Sequence, residues 1–99
     1  MGIVKNNIDK IIQLCSSHEV DKLYLFGSAE TDAFTESSDV DLLVSFRKFD
    51  LGRYFENYMD FKNKLEGLLK RKVDLVEEQT LKNPVLIRSI ERTKQLIYG

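Results

Sequence analysis

The chain has 99 residues, 42% of them hydrophobic and 31% charged, which suits one folded domain spanning 1–99 better than two. Fifteen basic against sixteen acidic side chains leave a formal charge of -1, which excludes the footprint of a general nucleic-acid binder. No apolar run approaches the roughly 18 residues of a membrane span, and the opening MGIVKNNIDK lacks the basic-then-apolar layout of a signal peptide, so the expected location is cytoplasmic.

Val4, Ile8, Ile11, Ile12 and Cys15 recur at steps of three and four, predicting one amphipathic helix from Val4 to Cys15. Cys15 falls on its apolar face and reads as a buried structural thiol. His18 follows with no second His or Cys nearby, so an exposed structural role is expected. Leu23 to Phe26 form a short apolar run stopped by Gly27, which predicts a first strand. Ser28 is placed to cap a short helix, and Asp32 to Ser38 to loop back toward the sheet.

Val40 to Phe46, bounded by polar clusters, is the clearest strand. Leu51, Tyr54, Phe55, Tyr58, Phe61, Leu65, Leu68 and Leu69 then mark a long helix whose stripe faces the core. The basic cluster Lys70-Arg71-Lys72 follows it, where cations suit the helix dipole. VDLVE predicts a third strand, Asn83-Pro84 opens a last helix, and QLIYG ends as a short strand. This order describes an α/β (α+β) domain with helices covering a small sheet.

Within SSDVDLLV, Asp39 and Asp41 are two apart at the beginning of a strand and therefore point to one face. Carboxylates this close repel unless a cation lies between them, and Mg²⁺ takes oxygen ligands. Asp74, between apolar neighbours in the third strand, calls for a partner. If the second and third strands pair, the three carboxylates can hold Mg²⁺ (or Mn²⁺) against the phosphates of a nucleoside triphosphate, with one of them as general base. Gly27-Ser28, between a strand and a helix, offers unpaired N–H groups and a hydroxyl for those phosphates.

The order LFGS, ten residues, DVDLLV, then VDLV resembles the minimal nucleotidyltransferases of the DNA polymerase β superfamily over nearly the whole chain. The resemblance implies a polymerase β-like fold with a small mixed sheet flanked by helices. It implies that Gly27 and Ser28 bind nucleotide and that Asp39, Asp41 and Asp74 bind metal and carry catalysis. It also implies transfer of a nucleoside monophosphate, AMP from ATP, to a hydroxyl of a partner protein. The implied partner is a small HEPN-domain protein, with this chain as antitoxin and adenylylation of the toxin as one route to neutralisation. An antitoxin that neutralises by binding alone is the alternative, and a homo- or hetero-oligomer would supplement so small a core. The residues after Gly27-Ser28 are Ala29, Glu30 and Thr31, where many relatives carry an Arg-containing and Gly-containing segment.

Overall fold

The computed structural model describes residues 2–26, 39–48 and 50–99. The first helical stretch is divided into α1, Gly2–Lys5, and α2, Ile8–Ser17, where the periodicity predicts one continuous helix. The division falls at Asn6-Asn7, where the Asn7 side chain donates to the Ile3 carbonyl at 2.8 Å. Its N–H also turns back to Val4 O. Asparagine here offers the backbone an alternative to the helical ladder.

Strand β1 runs Val20–Phe26, three residues longer at its start than the apolar run alone. Val20 is buried and pairs with Phe46, and a register shift follows between Val20 and Lys22. That irregularity places Asp21 and Lys22 both in solvent, which conceals the strand's start from a search for strict alternation. Strand β2 is Val40–Phe46 and β3 is Val73–Glu77, both as expected. Between them, the single-turn segment Leu51–Arg53 leads into α3, Tyr54–Leu69. After β3, α4 spans Pro84–Thr93 and β4 spans Gln95–Tyr98. The Asn83 side chain caps α4 by accepting from Val85 N–H at 2.9 Å, and Pro84 fills the first turn.

The four strands form one mixed sheet in the order β3-β2-β1-β4. Strands β1 and β2 are antiparallel, β1 and β4 are antiparallel, and β2 and β3 are parallel. A parallel pair needs a long crossover, and α3 supplies it. Alternation along the strands divides the core. Val40, Leu42, Val44, Val73 and Leu75 pack with Ile11, Cys15, Phe61, Leu65 and Leu69 of α2 and α3. On the other face Phe26 and Leu43 pack with Ile90 of α4.

The α3 stripe is less apolar inward than its spacing promises. Phe61, Leu65 and Leu69 are buried, Tyr54 and Tyr58 are half-buried, but Leu51 and Phe55 are 85% and 72% exposed. Leu51 lies in the turn before the helix, whereas Tyr54 at the start of α3 packs on Phe46 of β2 with ring centroids 5.6 Å apart. His18 is also a correction: it is buried, not exposed. Its Nδ1 donates to Leu14 O at 2.8 Å and its Nε2 lies 2.6 Å from Asp60 Oδ2 on α3. Cys15 is fully buried as expected, and burial pushes its thiol up to about 12.

Strand β3 is an edge, and α3 blunts it. Val73 N–H donates to Glu66 Oε2 at 2.9 Å, and the Tyr58 hydroxyl donates to Leu75 O. Both groups point away from β2, so side chains of α3 occupy positions that another strand would otherwise recruit. No helix among the described residues is long and apolar enough to cross a membrane.

Candidate functional site

The parallel register pairs Val40 with Val73, Asp41 with Asp74, and Leu42 with Leu75. Val40 and Val73 enter the core under α2 and α3. Their neighbours Asp41 and Asp74 therefore project together from the opposite face. Asp39, one step before the strand and two residues from Asp41, shares that face and is exposed. Strand β1 meets the same row from the other side, because Phe26 pairs with Asp41. From Phe26 the chain runs on into Gly27 and Ser28, which lie outside the described residues together with the short helix expected after them.

The carboxylates raise one another's cost of ionisation. Asp41 is held above the ordinary carboxylate range, first by burial and then by the negative charges of Asp74 and Asp39. Arg47, Lys64 and Lys94 form their ion pairs with Glu19, Asp60 and Glu91, away from all three. Three carboxylates concentrated in one row are suited to an external cation.

Among the described residues, no group of three His, Cys, Asp or Glu side chains makes a ready metal cage. An open row of carboxylates is nevertheless the donor type that Mg²⁺ uses. This small, hard ion keeps several waters and takes one or two carboxylates plus substrate phosphates instead of a closed protein shell. The donor chemistry of Asp39, Asp41 and Asp74 fits such a site.

Tyr58 belongs to the stripe that helical spacing assigns to the core, but its hydroxyl borders this row. Burial raises its pKa most, followed by the charges of Asp74 and Glu77. Tyr54, one turn earlier, is pushed up to about 12 by burial, then by Glu77, to which it hydrogen-bonds. A groove of about 330 Å³ lined by Phe46, Lys48, Leu51 and Glu77 lies at the other ends of β2 and β3. It does not include the acidic row, in which Asp39 and Asp74 are exposed and Asp41 is half-buried.

The family model described as "Polymerase beta, Nucleotidyltransferase" matches residues 9–99. A "putative protein adenylyltransferase" of Methanocaldococcus jannaschii is 37% identical over 87 residues, covering 86% of this chain and 82% of that protein. A solved structure described as a "putative minimal nucleotidyltransferase" is 33% identical with a TM-score of 0.75, covering 93% of this chain and 90% of its own. A toxin–antitoxin crystal structure with AMP-PNP is 26% identical with a TM-score of 0.72, covering 94% of this chain and 73% of the other.

Proposed function

Because the chain belongs to the polymerase beta nucleotidyltransferase family, we propose that it transfers AMP from ATP to a hydroxyl of a partner protein, with Asp39, Asp41 and Asp74 as its acidic centre. The observation that carries this reading is the side-by-side register of Asp41 and Asp74, with Phe26 completing the row. It joins the aspartates of two strands to the end of the strand that continues into Gly27-Ser28. The relatives support the chemistry, since one is described as a "putative protein adenylyltransferase" and a similar toxin–antitoxin was crystallised with AMP-PNP, an ATP analogue.

Asp39 and Asp41 hold Mg²⁺ or Mn²⁺ in this reading. The ion would neutralise charge on the phosphates and on the departing pyrophosphate. Gly27 and Ser28 bind the triphosphate through backbone N–H groups and the Ser28 hydroxyl. Asp74 accepts the acceptor hydroxyl's proton as its oxygen attacks the α-phosphorus. The new P–O bond forms as the bond to the bridging oxygen breaks, and pyrophosphate leaves. Alignment of these groups supplies most of the rate in phosphoryl transfer.

The chain works as one cytoplasmic domain and as the antitoxin of a small HEPN-domain protein. An open acidic row, with Asp39 and Asp74 exposed, fits an acceptor presented by another protein. The test is co-expression with a small HEPN-domain protein, comparing wild type with the Asp39→Asn, Asp41→Asn double variant. Mass spectrometry of the partner should find the addition of AMP only with wild type, and neutralisation should be lost with the variant. A variant that no longer transfers AMP yet neutralises fully would establish neutralisation by binding alone.

A further inference from the structure

The basic turn between α3 and β3 has no role in the chemistry above, yet the sheet register places it beside the acidic row. Val40 N–H donates to Lys72 O at 2.9 Å, one step before the Val40–Val73 pair. Lys72 is thus laterally next to Asp39, about 4.8 Å away between strands. It is also two residues before Asp74, and strand alternation puts both on the same face. Lys70 ends α3 in the left-handed region at φ 55°, which turns the chain sharply into β3.

Lys70 and Lys72 are both exposed, and neither forms an ion pair among the described residues. Elsewhere in the fold Lys64 pairs with Asp60, Lys94 with Glu91, and Arg47 with Glu19. A helix C-terminus favours Lys70 through its dipole. That explanation does not extend to Lys72, which lies beyond the helix and is fixed to β2.

Sidedness decides which ligand these lysines meet. In the sheet order β3-β2-β1-β4, the chain leading to Gly27-Ser28 leaves from β1, whereas Lys70 and Lys72 flank β3. If Gly27-Ser28 takes the triphosphate, the phosphates occupy the β1 side of Asp41 and the acceptor hydroxyl approaches from the β3 side, where Asp74 stands. We infer that Lys70 and Lys72 are an acceptor-docking surface, selecting a protein segment whose acceptor hydroxyl is flanked by aspartate or glutamate. This rests on the nucleotidyltransferase reading of the site. The physical need is plain: the row of Asp39, Asp41 and Asp74 repels an acidic segment, and cations on the acceptor's side offset that repulsion locally.

The test uses the full chain with Mg²⁺ and α,β-methylene ATP, in which the scissile bond cannot break. Fluorescein-labelled peptides carry a central Ser-Tyr-Thr flanked by Glu, by Gln or by Lys, and anisotropy reads their binding. At low ionic strength the Glu peptide should bind about five- to tenfold more tightly than the Gln peptide, as two exposed ion pairs allow, and salt should erase the difference. The Lys70→Ala, Lys72→Ala double variant should bring the two peptides to within about twofold, and Lys72→Glu should reverse the order. Calorimetry with the ATP analogue provides the second readout, and its affinity should not change in the double variant. Equal binding of Glu and Gln peptides by wild type overturns the inference. So does loss of nucleotide affinity in the double variant with peptide preference intact, which would assign the lysines to the phosphates. Failure of wild type to bind the nucleotide at all would overturn the site itself, and that outcome is visible before any peptide is added.

Discussion

Asp60 Oδ2 lies 2.6 Å from His18 Nε2, and this contact joins the end of α2 to the middle of α3 across 42 positions of sequence. Lys64 approaches the same oxygen at 3.0 Å. Hydrogen bonds from His18 and then Lys64 hold the Asp60 carboxyl below its ordinary range. A lowered carboxyl pKa stabilises the fold above its unfolded value, near 3.8, and that contribution is lost as pH falls through the lowered folded value. Asp60→Asn should therefore melt below wild type at pH 7, and the gap should close on acidification through that window. Thermal melts from neutral to acid pH measure it. His18→Ala, which also empties a buried site, should cost about 2–4 kcal/mol, read by urea denaturation.

Tyr54 and Tyr58 should govern alkaline stability. Both hydroxyls have raised pKa values, Tyr54 up to about 12. For these groups the folded state favours the protonated form, so their contribution is complete below the unfolded value near 10 and is lost as pH rises through the folded values. Ultraviolet titration should find two tyrosine ionisations delayed beyond the unfolded value, and both delayed steps should disappear on unfolding.

Removing one hydroxyl tests the guarded edge of β3. Tyr58→Phe deletes the donor to Leu75 O while keeping the ring, and should cost about 1 kcal/mol in stability. Hydrogen exchange should then accelerate in β3 more than in β2. Unchanged exchange in β3 would show that α3 does not protect this edge through Tyr58.

Asp41 has the opposite sign from Asp60. Burial and the charges of Asp74 and Asp39 raise its pKa, so its ionisation opposes folding in metal-free buffer. Below the unfolded value near 3.8 there is no penalty, and the penalty is complete once pH has passed the raised folded value. Asp41→Asn should melt at or above wild type at pH 7, by no more than about 5 °C, with the difference vanishing in acid. The same variant should lose AMP transfer by orders of magnitude. A variant both destabilised and active would show that Asp41 serves packing.

The nucleotide site can be tested without an acceptor. Affinity for ATP measured by calorimetry should rise with Mg²⁺ or Mn²⁺ and fall with EDTA, because Asp39 and Asp41 otherwise repel the phosphates. Ser28→Ala should weaken binding by about 1.5–3 kcal/mol, the worth of one hydrogen bond to a charged group, with the fold retained. Equal affinity in EDTA would count against a metal-bridged triphosphate, and an unchanged Ser28→Ala would move the phosphate cradle elsewhere.

The local pattern of the chain determines much of this protein. Residues 40–46 and 73–77 read as strands because their β-branched and leucine-rich runs end in polar clusters, and Asn83-Pro84 announces α4 through cap chemistry alone. Alternation along one strand is enough to put Asp39 and Asp41 on a shared face. Their convergence with Asp74 is a different matter, since pairing between strands some 30 positions apart has no local signature, and a one-residue slip would turn Asp74 to the opposite face. The burial of Val40 and Val73 side by side under α2 and α3 favours that register. The same long-range packing buries His18 against Asp60, leaves Leu51 and Phe55 in solvent, and brings Lys72 beside Asp39. Sequence periodicity specifies which face of an element is apolar, but what that face meets depends on where the sheet stops and which strand lies next to it.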